Sequence, residues 1–168
     1  VLVASSVLGG QANPPTEPTS SSTPTHSAAA DADPSVCGLK GFEAKSSLDD
    51  APKSNWELVG TIAAPTDPKG AGPGKIDSDG FRSCYAHTAT GALYSAANFI
   101  ALGSDATTRA KLPSLIAPGP GRDAAKAQST QSSDSAGYRA QVAGFKVDSY
   151  DGKNATVDLV LNYSTGQL

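Results

Sequence analysis

The glycine-rich run Gly70–Lys75 is the first place where residue types and spacing suggest chemistry, since it resembles a phosphate-binding loop. Such a loop needs a glycine where the chain has Lys69 and a serine or threonine where it has Ile76. A phosphate-binding loop also directly follows an apolar strand, but no apolar strand directly precedes Gly70. We therefore interpret residues 67–74 as a structural loop, because their glycine and proline content disfavours regular structure.

A metal or cofactor site finds no better support. Asp77 and Asp79 precede Gly80 as in the first part of a calcium loop, but the third carboxylate and the closing glutamate are absent, so we predict a tight turn. The two cysteines form no CxxC pair, and only His26 and His87 remain as nitrogen ligands for zinc. The sequence predicts neither a metal nor a cofactor.

A hydrolase site is also unsupported. Ser83 and His87 are four positions apart, but no orienting acid can be assigned and no GxSxG motif occurs. We therefore predict no catalytic residue. If the fold encloses a small-molecule pocket between helix and sheet, we expect His87 and Tyr94 to line it.

The N-terminal part of the chain differs in composition from the rest. Residues 1–12 are small and apolar without charge, and they fit either the outer end of a membrane anchor or a signal-peptide core. Residues 13–35 are rich in Pro, Ser and Thr, which predicts a stalk that cannot fold alone. We expect residues 36–168 to form one domain. We favour the membrane anchor. Because both interpretations indicate export, we expect the chain to lie outside the cytoplasm, either at the cell surface or secreted.

The two cysteines, Cys37 and Cys84, lie at the stalk exit and before the most helical stretch. Two buried free thiols are one alternative. Because the N-terminus indicates export, we expect a Cys37–Cys84 disulfide. The 16 acidic and 13 basic residues give a net charge of −3, and this balance disfavours a nucleic-acid partner.

Periodicity predicts the elements of the domain. The alternation of Trp56, Leu58 and Ile62 predicts one half-buried strand. A helix is expected over 91–102, capped by Thr88 or Thr90 and stopped by Gly103. Its apolar stripe is predicted to face the sheet and contains the following residues: Ala92, Leu93, Ala96, Phe99 and Ile100. A second helix is expected from Ser104 or Asp105 to about 111, and a weak third one over 123–132.

The clearest strand signal comes last. Residues 138–150 and 155–163 alternate around a turn at 151–154, which predicts a hairpin with a bulge at Ala143–Gly144. The fold class is therefore α+β, with helices on a curved antiparallel sheet. The chain ends soon after the hairpin, and we expect the sheet to be incomplete at its C-terminus.

Three segments carry a family resemblance: Trp56–Gly60, Ala71–Pro73 and Cys84–Phe99. Together they resemble an uncharacterised actinobacterial domain family whose members are membrane-anchored, carry a Pro/Thr/Ser stalk and are often linked to conjugative or other mobile elements. The matching span is about 37–163. That family is similar to the cone-shaped nuclear-transport-factor-2-like fold of periplasmic scaffold subunits in type IV secretion machines.

The resemblance implies a non-enzymatic, surface-tethered accessory or scaffold component of a conjugation or secretion assembly, with protein partners at a membrane. It supplies no catalytic residues. Two other interpretations stay open. One is a cone that binds a small molecule or acts as an enzyme, and the other is a secreted adhesion or inhibitor-like module.

Overall fold

The computed structural model describes residues 33–129 and 138–165, and the predicted anchor and most of the stalk lie outside them. The described residues form an α+β fold, as the sequence predicted. In chain order its strands and helices are β1 (Asn55–Val59), β2 (Ile62–Thr66), β3 (Lys75–Ile76), β4 (Arg82–Ser83), α1 (Ala89–Gly103), α2 (Ala106–Arg109), a 3₁₀ turn (Leu112–Leu115), α3 (Pro120–Ser129), β5 (Tyr138–Tyr150) and β6 (Ala155–Thr165).

The main sheet has four strands in the order β1-β2-β5-β6, and β3 pairs with β4 in a separate ribbon. Pairing is antiparallel except between β2 and β5, which run parallel and meet at Ile62 and Ala140. The sheet is therefore mixed rather than purely antiparallel. Helix α1 packs against all four of its strands.

The prediction of a single strand around Trp56 is wrong, because these residues form two strands, β1 and β2, that pair in a tight hairpin. Gly60 adopts φ +59 in its turn, a left-handed conformation that glycine tolerates at little steric cost. The predicted buried face is wrong as well. Trp56 and Leu58 are 51% and 64% exposed, whereas Val59 joins Ile62 in the core.

Helix α1 begins where the sequence indicated. The Thr88 hydroxyl caps it by accepting a hydrogen bond from the Gly91 N–H at 2.9 Å. Position 91 must be small, since a Cβ there would lie 2.0 Å from the Ala86 carbonyl oxygen. The helix ends at Gly103, and the Ser104 hydroxyl oxygen then accepts a hydrogen bond from the Thr61 N–H at 3.0 Å. The main helix is thus joined to the β1–β2 turn.

The buried face of α1 differs from the predicted stripe. Phe99 is 36% exposed and Ala96 is half-buried, so neither belongs to the core. The buried positions are the following: Ala89, Gly91, Leu93, Tyr94, Ala97, Asn98, Ala101 and Leu102. The helix is rich in alanine around its circumference, so its sequence does not single out one face. The position of the sheet decides which side is covered.

The shorter helices differ from prediction at their ends. Asp105 caps α2, which stops at Arg109, and Pro113 lies in the following 3₁₀ turn. Helix α3 starts three residues earlier than predicted, at Pro120, and its predicted end at 132 lies outside the described residues. No helix in the described part of the chain is long and apolar enough to cross a membrane.

The β5–β6 hairpin is confirmed. Its strands cover the predicted residues and its register shifts between Val142 and Gly144, at the predicted bulge. A second shift, between Val147 and Ser149, was not predicted. Asp151 stabilises the turn, because its Oδ1 accepts hydrogen bonds from the backbone N–H groups of Lys153 and Asn154 at 2.9 and 2.6 Å.

Candidate functional site

The two residues proposed for a pocket, His87 and Tyr94, line different cavities. Tyr94 borders a cleft between α1 and the sheet, while His87 borders a cavity beside the start of α1 and the β5–β6 turn. The pocket predicted from the sequence is therefore two separate features. His87 precedes α1 and pairs with Phe42 in an isolated β-bridge, whereas Tyr94 lies within the helix.

The helix–sheet cleft has a volume of about 290 Å³ and is mostly apolar. It opens where β2 and β5 stop pairing beyond Ile62 and Ala140. Pro65 in β2 has no N–H to donate, and the bulge at Ala143 shifts the register of β5, so both strands lose ladder partners at this point. The strands leave a gap, and Leu93, Tyr94 and Ala97 of α1 line it.

A hydrogen bond joins the helix to the other wall of the cleft. The Tyr94 and Ser54 hydroxyls are 2.5 Å apart, and Ser54 also donates to the Pro52 carbonyl oxygen at 2.9 Å. Because a serine hydroxyl has one proton, Tyr94 must be the donor to Ser54. Trp56 and Asp49 complete the wall on this side, so the cleft combines an exposed indole ring with one carboxylate.

A buried polar network lies on α1 one turn beyond Tyr94, and the sequence did not reveal it. Asn98 is fully buried, and its Nδ2 donates to the carbonyl oxygens of Pro65 and Tyr94, each at 2.9 Å. Its Oδ1 accepts from Arg82 Nη1 at 3.4 Å, and Arg82 Nη2 forms an ion pair with Glu57. The network therefore fixes β1, β2 and β4 against α1.

The His87 cavity, of about 380 Å³, contains three buried polar atoms without a hydrogen-bond partner in the described structure: Tyr85 Oη, His87 Nδ1 and Tyr150 Oη. His87 Nδ1 lies 3.5 Å from Asp33 Oδ2, beyond ordinary hydrogen-bond length. Each of the three atoms has almost no accessible surface, so a ligand would reach them only after the wall had moved. Ser83, in β4, does not line this cavity.

Both tyrosines that line this cavity have a raised pKa, so their phenol groups ionise less readily than usual. Burial raises the pKa of Tyr85 well above its ordinary value, and the nearby Arg82 charge offsets only part of that effect. Burial also raises the pKa of Tyr150, and the carboxylates of Glu43 and Asp151 add to the shift. The two phenols are protonated at neutral pH and act as neutral polar groups.

The predicted disulfide between Cys37 and Cys84 is present, with its Cα atoms 6.1 Å apart. It attaches the segment before β1 to the residues that lead into α1. Further contacts extend the attachment: Glu43 N–H donates to the His87 carbonyl oxygen, and the Glu43 carboxylate accepts from Ala89 N–H, both at 2.9 Å. The disulfide is consistent with a location outside the cytoplasm.

The motifs set aside in the sequence are structural. The Asp67 carboxylate accepts hydrogen bonds from the N–H groups of Gly70 and Ala71 at 3.1 and 3.2 Å, which shapes the glycine-rich loop. Asp79 pairs with Lys111 at 2.5 Å, and this contact is the main reason why the pKa of Asp79 lies below its usual value. Residues 33–129 and 138–165 contain no group of three metal-ligating side chains suited to an ion.

These features define an α+β domain, crosslinked by a disulfide, with a cleft between its main helix and its sheet. The chain belongs to the family described as a domain of unknown function (DUF8175), which it matches over residues 15–168. Comparisons with curated proteins and with solved structures gave no match.

Proposed function

We propose that this chain is a non-enzymatic, surface-tethered domain outside the cytoplasm that serves as an accessory or scaffold component of a conjugation or secretion assembly. The Cys37–Cys84 disulfide is the observation that carries the proposal, because such bonds persist in oxidising compartments. The Pro/Ser/Thr-rich residues 13–35 lead directly to Cys37, which suits a domain held away from a membrane by a stalk.

The exposed apolar side chains of the sheet support a role in binding other proteins. The two edge strands of the main sheet, β1 and β6, carry large apolar side chains that are each more than half exposed: Trp56 and Leu58 on β1, and Val160 on β6. Apolar groups concentrated on edge strands favour contact with a partner. The resemblance to a family whose members are often linked to conjugative or other mobile elements suggests the kind of assembly.

Deletion of the gene from its element, followed by measurement of transfer frequency, tests this proposal. We expect transfer to fall and to recover when the wild-type gene is supplied in trans. Unchanged transfer would contradict the assembly role. Protease treatment of intact cells tests tethering separately: a tagged chain should be digested from outside and should sediment with membranes.

A second candidate function, binding of a small molecule, is favoured by the cleft beside Tyr94. Trp56 is the only tryptophan and lines this cleft, so its fluorescence reports on occupancy. A ligand found in a thermal-shift screen should change that emission, and Trp56→Ala should abolish the thermal shift while Leu58→Ala preserves it. A screen in which no compound alters either signal would argue against this function.

A further inference from the structure

The strand β6 forms an edge of the main sheet, and no described residue pairs with its outer side. It is eleven residues long and contains no lysine, arginine or proline, the residues that usually protect an edge strand from further pairing. Asp158 is its only charged residue. A long, unprotected edge of this kind is suited to accept another strand.

The groove beside this edge adds apolar surface. Between β6 and α1 lies a shallow groove of about 580 Å³, and its α1 wall includes Ala96, Phe99 and Ile100. These belong to the apolar stripe that the sequence predicted to be buried and that the sheet leaves partly uncovered. A strand added beside β6 would extend the sheet over this groove and remove those side chains from water.

The sequence of β6 matches an antiparallel copy of itself. Val160 is the middle residue of the strand, so pairing about Val160 overlaps both strands over their full length. On the side facing α1, Leu159 then lies opposite Leu161, and Val157 lies opposite Tyr163. On the other side Asp158 lies opposite Asn162, which can donate to it. Pairing about Asp158 instead would oppose two like charges.

We propose that two copies of this chain associate through antiparallel pairing of their β6 strands about Val160, which makes one continuous eight-stranded sheet with α1 of each copy on the same face. The symmetry is two-fold, and each copy presents the same surface to the other. This self-association does not depend on the role in a conjugation or secretion assembly.

Sedimentation equilibrium of the oxidised full chain tests the proposal. The wild type should approach twice the monomer mass of 16.9 kDa as its concentration rises. Val160→Lys should stay monomeric, because it places two lysines opposite each other at the centre of the interface. The substitution should be tolerated within the monomer, since Val160 is 61% exposed and lies opposite Gly144, which has no side chain.

The matched control is Leu58→Lys, which introduces the same charge at a similarly exposed apolar residue on the opposite edge strand. It should dimerise as the wild type does. Val160→Glu should be monomeric alone, but an equimolar mixture with Val160→Lys should recover the dimer, because residue 160 of one copy lies opposite residue 160 of the other. Urea melts of each variant confirm folding.

Three results would overturn the proposal: a wild-type chain that stays monomeric at all concentrations, a dimer that Val160→Lys leaves intact, or a Lys–Glu mixture that does not associate. The first would assign the edge to a different chain or to a segment of this chain outside the described residues. The last two would place the contact elsewhere or in another register.

Discussion

The Tyr94 hydroxyl donates a hydrogen bond to the Ser54 hydroxyl at 2.5 Å, which joins the middle of α1 to the segment before β1. Tyr94 is almost completely buried, and its ring lines the cleft between helix and sheet. The same contact therefore stabilises the fold and shapes the cavity.

Removing this hydroxyl tests its contribution. Tyr94→Phe keeps the ring but leaves Ser54 without its donor, so we expect a loss of about 1 kcal/mol in the free energy of unfolding. Urea melts followed by circular dichroism measure this change. Tyr163→Phe is the control, because Tyr163 is largely exposed in the monomer, and at low protein concentration it should leave the midpoint unchanged. A Tyr94→Phe variant as stable as the wild type would show that the bond contributes nothing net.

The corrected face of α1 predicts how two apolar truncations differ. Leu102 has no exposed surface, so Leu102→Ala should cost about 2–5 kcal/mol. Phe99 is the larger side chain, but it is partly exposed, and Phe99→Ala should cost clearly less than the 3–5 kcal/mol typical of a buried aromatic residue. Denaturant melts at low protein concentration compare the two. A larger loss for Phe99→Ala would restore the stripe predicted from the sequence.

The disulfide predicts a large dependence of stability on redox conditions. Cys37 and Cys84 are separated by 47 positions, and closing a loop of that size contributes about 4 kcal/mol in the chain-entropy model. The wild type should therefore lose about 10 °C or more of melting temperature in reductant. The Cys37→Ala/Cys84→Ala variant should melt at the reduced value with or without reductant. Equal melting of the oxidised and reduced wild type would contradict the prediction.

Acid should weaken the β5–β6 turn through Asp151. Backbone N–H groups of Asn154 and Lys153 hold the pKa of the Asp151 carboxyl below its usual value. A carboxyl with a lowered pKa in the folded state stabilises the fold above its unfolded pKa, about 3.9, and loses this contribution as the pH falls through the folded value. Stability of the wild type should thus decline in this acidic range, and Asp151→Ala should show a smaller decline between pH 5 and 2. Parallel pH profiles from urea melts would contradict the assignment.

Local sequence determined much of the secondary structure. The β5–β6 hairpin follows from alternating side chains around the turn at 151–154, and the start of α1 follows from the capping threonine and the helical period. These signals depend on neighbours a few residues apart, so no knowledge of the remaining chain is needed. The Cys37–Cys84 disulfide was expected because the N-terminal segment indicates export and the chain contains only two cysteines.

The β1–β2 hairpin was not predicted, because local periodicity alone did not show its turn. The alternation that begins at Trp56 continues without a break through Ile62, across the two turn residues, as it would in a single strand. Gly60 was the available signal for the turn, since glycine is one of the strongest local signals that regular structure is interrupted.

Other features were decided only by tertiary structure. Helix α1 has small apolar residues on nearly every side, so its buried face depends on where the sheet lies, and Tyr94 and Asn98 are covered while Phe99 is not. Arg82, Asn98 and Glu57 are distant in sequence, and their network exists only once β1, β4 and α1 have packed together. The cleft beside Tyr94 likewise arises from the gap between β2 and β5. Such contacts join residues whose proximity is set by chain topology, for which local periodicity carries no information.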